Sequence, residues 1–153
     1  MTNDSPQSLK ILTRKILEQG YLMSLATVDE AGPWVSDLIF VSDDDLAIYW
    51  MSKTETRHSK AIAQNRKVAA AITVSNRKGE SNIGLQLEGL ASEIKDEDLA
   101  IATKYQLKRG KPAPTAEEGV VNVGGSWYRL QPTKIEIIYE PYWGFSKKVI
   151  ICR

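Results

Sequence analysis

The sequence is short of the residues that most small-protein chemistries require. It holds one cysteine, Cys152, and one histidine, His58, in 153 residues. A lone cysteine makes no internal disulfide, which suits a reducing compartment. One cysteine and one histidine also supply poorly either a structural zinc site or a serine–histidine–acid triad, so no metal site is expected. Charge of one sign is lacking too: 20 Lys+Arg stand against 19 Asp+Glu, a net charge of +1. No global field recruits nucleic acid, and any anion site must be local. No apolar run approaches the roughly 20 residues that cross a bilayer. The opening Met1-Thr2-Asn3-Asp4-Ser5-Pro6 has neither the basic nor the apolar stretch of an export signal. A soluble, cytoplasmic protein without a membrane partner is expected.

Catalytic signatures are missing as well. The chain contains no G-x-S-x-G elbow, no G-x-x-x-x-G-K-[ST] loop, no H-E-x-x-H and no G-x-G-x-x-G. Its clustered acids, Asp43 to Asp45 and Glu117-Glu118, fall in turn or loop sequence and read as solvated side chains. A hydrolase is not expected, and no catalytic residue stands out.

What is present is a strand-rich pattern. Ser5-Pro6 opens a helix, serine at the N-cap and proline at N1, with Leu9, Leu12, Ile16 and Leu17 on one face and Gly20 as its stop. Strands are expected at 21–28 and 34–41 around the turn at 29–33, then at 46–51, where Leu46, Ile48 and Trp50 share a face. A short helix fits 55–65, followed by strands at 68–75 and 83–94. Asp96 is expected to cap a second long helix that ends near Lys108, Arg109 and Gly110, a charge order suited to the helix dipole. Residues 111–125, with two prolines and three glycines, read as a loop; strands follow at 126–131, 134–140 and 148–152. Six to eight closely spaced strands with inserted helices predict a single domain, mostly β with flanking helices, closed as an antiparallel barrel.

One segment breaks a local rule. In Ser52-Lys53-Thr54-Glu55-Thr56-Arg57-His58-Ser59-Lys60, cations and hydroxyls crowd the start of the 55–65 helix. Exposed positive charge there opposes the helix dipole at about 0.3–1 kcal/mol per charge. A bound phosphate reverses the sign, because helix N–H groups and cations would face an anion together. The plain alternative is a surface helix whose charges sit in water.

The run Leu25-Ala26-Thr27-Val28-Asp29, continued by Gly32-Pro33-Trp34-Val35-Ser36-Asp37-Leu38-Ile39-Phe40-Val41, resembles the opening hairpin of the pyridoxamine 5′-phosphate oxidase-like family. The stretch from Leu46 to Trp50, then Thr56-Arg57-His58, Ile62 and Asn65-Arg66-Lys67-Val68-Ala69, is similar to that family's phosphate-binding strand–helix–strand unit. Gly84-Leu85-Gln86-Leu87-Glu88-Gly89 resembles its later central strand, and the tail Trp143-Gly144-Phe145-Ser146-Lys147-Lys148-Val149-Ile150 looks like that of the YhbP-like subgroup.

The resemblance implies a six-stranded antiparallel split β-barrel, a homodimer, and FMN at the subunit interface. By position, Thr56, Arg57 and His58 would meet the phosphate, with Ser52 and Lys53 just upstream. His58 stands where the family usually has lysine. Beside a phosphate its pKa is expected to rise, with FMN affinity weakening from neutral to mildly alkaline pH. Val35, Ser36, Asp37 and Leu38 would line the flavin ring, Gln86 would sit near its pyrimidine edge, and Trp143 would line the ligand pocket. Two departures set the chain apart from the oxidases that make pyridoxal phosphate. Residues 34–41 contain no Lys or Arg, and no histidine follows His58. The implied function is a flavin-dependent oxidoreductase of unknown substrate, with an electron donor such as NAD(P)H. The alternative is a non-enzymatic flavin or haem binder, and a deazaflavin or haem is the less expected ligand.

Overall fold

The computed structural model describes residues 4–95, 98–115 and 125–153. Helix α1 (Pro6–Gln19) starts as the sequence predicts: the Ser5 hydroxyl accepts from the Ser8 N–H, and Leu9, Ile16 and Leu17 are buried. Its end differs. Gly20 is extended, with φ −66°, so the left-handed stop is absent. Glycine is needed there for room: a Cβ would come within 2.6 Å of Ile72 Cγ2 and 3.2 Å of Phe40 Cζ.

The chain then forms β1 (Leu22–Asp29), β2 (Gly32–Ile39), β3 (Val41–Ser42), β4 (Ile48–Ser52), α2 (Arg57–Gln64), β5 (Lys67–Thr73) and β6 (Ile83–Ile94). There follow α3 (Leu99–Lys108), β7 (Ser126–Tyr139), α4 (Glu140–Trp143) and β8 (Lys147–Ile151). Leu46 sits in the turn before β4 at φ 69°, yet it is buried with Ile48 and Trp50 as their shared face predicts. Asp96, the expected cap of α3, lies outside the described residues; Asp98 caps the helix by accepting from the Ala100 and Ile101 N–H groups. The two strands expected at 126–131 and 134–140 are one strand. Pro132 is tolerated because β4 pairs with β7 over 126–130 and β8 over 134–138, so proline falls between the two partners. Opposite it, β6 carries a register shift at Glu88/Gly89. A Cβ on Gly89 would lie 2.1 Å from the Gln131 carbonyl oxygen.

All strand pairings are antiparallel, in the order β2-β1-β5-β6-β7-β4-β3, with β8 added to β7. The two ends of this path, β2 and β3, are separated in sequence by Phe40 alone. The sheet therefore curls on itself as a split barrel; its described residues form eight strands, two more than the resemblance implies, counting the two-residue β3 and the tail strand β8. Met23, Leu25, Ile72, Leu85, Leu130, Ile135 and Ile137 face inward around Phe40 and Trp50, and α1 packs against this core. No described helix is long and apolar enough to cross a membrane.

Helix α3 covers the β3 end of the sheet. The Lys104 ammonium donates to the Ser42 carbonyl at 3.2 Å, and Lys108 donates to the carbonyl of Phe40 while lying 3.8 Å over its ring. Edge carbonyls that would otherwise template another strand are thereby occupied. Burial pushes the Lys108 amine down to about 8. Because this lies below its unfolded value, the charged amine opposes folding, and the penalty is relieved as pH rises from about 8 through 10.5. Urea midpoints across that range should rise for the wild type relative to Lys108→Met. Parallel curves would show that Lys108 titrates normally.

Candidate functional site

The inward-facing residues at the start of α2 converge on His58. Thr56 caps the helix, its hydroxyl accepting from the Ser59 N–H. This capping holds the first turn so that the His58 ring points inward, where it is 7% exposed. Ser52, at the end of β4, places its Oγ 2.8 Å from His58 Nε2, and Thr56 Oγ1 lies 3.1 Å from the same nitrogen. Ser36 on β2 places its Oγ 3.2 Å from Nδ1. Hydroxyls both donate and accept, so either neutral tautomer is satisfied. Thr56 Oγ1 also lies 2.8 Å from Ser59 Oγ, and Ser59 in turn bonds the Tyr128 hydroxyl. Among the described residues β2 pairs only with β1, whereas β4 pairs with β3 and β7. The cluster therefore bridges the open seam of the barrel with side chains alone.

Burial holds His58 below its ordinary value, favouring the neutral ring. The rise expected beside a phosphate concerns the ligand-bound ring and starts from this lowered value. The cause of the lowering is desolvation, which sequence gives no means of weighing against an anion.

Arg57 turns elsewhere. Its Nε and Nη2 donate to the two Asp29 carboxylate oxygens at 2.8 and 3.1 Å, and its guanidinium lies 4.5 Å from the Trp34 ring centre. The pair holds the Asp29 carboxyl below the usual range and raises Arg57. Lys53 is exposed. The first-turn N–H groups of Arg57 and His58 lie at the open end of α2. The donor set fits a phosphate at Thr56, Ser52, His58 and the helix terminus; Arg57 joins it only by leaving Asp29.

The other expected residues divide by face. Ser36 and Leu38 pair with Leu25 and Met23, which face the core. Val35 and Asp37 pair with Ala26 and Ser24 on the outer face, where Val35 is 59% exposed and Asp37 accepts from the Ser24 hydroxyl at 2.6 Å. Gln86 is on the same outer face, opposite Ala71. Asp37, Ser24, Ala71 and Gln86 help line an open cavity of about 510 Å³. Trp143 packs between the core and the rings of Tyr139 and Tyr142. Ser36, Ser52, Thr56 and His58 are thus brought together, Asp37 and Gln86 share the cavity, and Trp143 stands apart from both groups. Sequence reasoning missed Asp29, Ser59, Tyr128 and Lys147. Asp29, Ser59 and Lys147 lie inside stretches already singled out, though none was given a role there; Tyr128 carried no signal.

The sequence profile of the family described as pyridoxamine 5′-phosphate oxidase matches residues 9–139. UPF0306 protein YE0465 of Yersinia enterocolitica is 27% identical over 107 residues, covering 69% of this chain and 72% of that one. Among solved structures, general stress protein 26 of Bacillus anthracis superposes with a TM-score of 0.67 at 18% identity, over 94% of this chain and 98% of that one. The haem storage protein HutZ of Vibrio cholerae superposes with a TM-score of 0.59 at 15% identity, over 90% and 89%. These two structural likenesses speak for the fold. The profile spans nearly the whole curled sheet, from α1 to the end of β7, and the chain belongs to the pyridoxamine 5′-phosphate oxidase family.

Proposed function

We propose that this chain binds FMN as a homodimer and acts as a flavin-dependent oxidoreductase of a substrate other than pyridoxamine phosphate. The observation that carries this reading is the convergence of Ser36, Ser52, Thr56 and His58 at the N-terminal end of α2. A dianionic phosphate there would gain helix N–H groups and hydroxyl donors at once. The small-residue floor of the outer-face cavity, Ser24 and Ala71 between Asp37 and Gln86, suits a flat ring. The flavin would carry the hydride chemistry, while this chain holds and orients it. A twofold partner would cover the outer face, because the barrel interior is already filled by Phe40, Trp50 and their neighbours.

A second reading, a non-enzymatic flavin or haem binder, draws on the fold likeness to HutZ. A haem held through His58 would first have to break its bonds to Ser36 or to Ser52 and Thr56. A deazaflavin would use the same anion site. The visible spectrum of the purified protein separates flavin from haem, and bleaching by NADH or NADPH separates a reductase from a binder.

FMN should bind a few hundredfold or more tightly than riboflavin, the equivalent of about 3–5 kcal/mol for two charge-assisted contacts. Asp29→Asn should strengthen FMN binding further by releasing Arg57, while leaving riboflavin unchanged. Fluorescence-quenching titrations of both ligands check this, and equal affinities would remove the α2 terminus from the site.

The pH dependence follows from His58. A phosphate in contact raises its pKa above the depressed ligand-free value, so the added affinity is full below that value and is lost as pH rises through the ligand-bound one. The ligand-free value starts below 6.5, which moves the window to the acid side of the one expected from sequence. Ionisation of the phosphate itself, near pH 6, acts in the opposite direction. Comparison with variants isolates the histidine: His58→Lys should hold its affinity toward alkaline pH relative to wild type, and His58→Gln should bind more weakly at acid pH with a flatter profile that meets the wild type's as the histidine loses its proton. Superimposable profiles for all three would place His58 out of reach of the ligand.

Sedimentation should give a dimer at micromolar concentration. A 17.1 kDa monomer that retains FMN would overturn the shared site.

A further inference from the structure

The tail strand β8 delivers a cation to the outer face. Its backbone pairs with β7, Lys147 opposite Ile138 and Lys148 opposite Ile137. Lys148 also meets Asp4 at 2.7 Å, tying the strand to the start of the chain. The register brings the Lys147 ammonium to Gln86 Oε1 at 2.6 Å and Glu136 Oε2 at 3.1 Å. Glu136, opposite Gln86 across β6 and β7, also pairs with Lys134 at 3.0 Å. The two lysines hold its carboxyl below the usual range. Glu136 is thereby kept as an anion that fixes Lys147 in place.

An ammonium has only donors, so the Gln86 atom it meets must be the amide oxygen. This settles which way the amide faces. With its oxygen occupied, Gln86 has its NH2 group left to offer, and Gln86 lines the cavity of about 510 Å³. The transverse row Asp37, Ser24, Ala71, Gln86 runs across four strands of the outer face. At about 4.8 Å per strand, the row is about 14 Å long, enough for a fused ring system to lie between its polar ends.

We propose that Lys147 is a positioning residue: it turns the Gln86 amide so that the NH2 group faces the cavity, selecting a flat ligand with a carbonyl-type acceptor on the edge nearest β6. This rests on the flavin reading for the identity of the ligand, but the orientation of Gln86 does not. Without Lys147 the amide is free to rotate and present its oxygen, which repels such an acceptor.

Two measurements test this. In ligand-free protein, the Gln86 side-chain amide resonance, identified by its loss in Gln86→Leu, should move toward that of free glutamine in Lys147→Met and stay near its place in Lys147→Arg. An unmoved resonance in Lys147→Met would overturn the proposal. FMN titrations then close a double-mutant cycle: Lys147→Met should weaken binding by about 5–10-fold in the wild-type background and not at all in Gln86→Leu. Equal losses in both backgrounds would mean that Lys147 acts on the ligand without Gln86, and would also overturn it. Failure of the wild type to bind FMN, with the expected resonance shift intact, would overturn the flavin reading and leave the orientation of Gln86 standing.

Discussion

Phe40 is the single residue between β2 and β3, the strands at opposite ends of the sheet path. Because one residue joins them, the sheet has to curl until its first and last strands are neighbours. Three other features follow from where this side chain goes. It is fully buried, so the bend turns into the core. Gly20 has to lack a Cβ because the ring and Ile72 occupy that space. Lys108 lies over the ring and bonds the Phe40 carbonyl, and the burial this requires lowers its pKa.

Closure at Phe40 leaves a seam, since β2 and β4 approach without pairing. An apolar seam would be the simpler solution, but the main-chain groups along an unpaired edge are polar. A histidine with hydroxyl partners on both ring nitrogens suits that setting, because each hydroxyl adapts as donor or acceptor. Ser36 comes from one side of the seam, Ser52 from the other, and His58 and Thr56 from α2 at its end. The ring is therefore a structural tie and the centre of the candidate anion site at once. Its neutral state serves the first role, and a charged state would serve the second.

Much of this fold is legible in the sequence because alternation reports the inner face directly: Leu46, Ile48 and Trp50 are buried as their spacing predicts. Three features escape such reading. The continuity of β7 through Pro132 depends on which strands flank it, a property of the whole sheet. The pairing of Arg57 with Asp29 joins residues 28 positions apart and competes with the anion role that the local sequence suggests. The partnership of Lys147 with Gln86 spans 61 positions and exists only because β8 returns alongside β7. The 52–60 segment was legible as unusual because cations at a helix N-terminus violate a local rule. What satisfies them was not.

The division of β2 between two faces connects the two halves of the candidate site. Ser36 points inward to His58, while the adjacent Asp37 points outward to Ser24 and the cavity that holds Gln86. In an interior strand, neighbours on both sides would keep a ligand from touching both faces. β2 is an edge strand, paired among the described residues with β1 alone. In the proposed reading, a ligand with a phosphate at one end and a flat ring at the other would pass around its free edge, the anion at the seam and the ring on the small-residue floor. The split that Phe40 enforces would in this way be the feature that makes room for such a ligand, since a fully closed barrel has no edge to pass around.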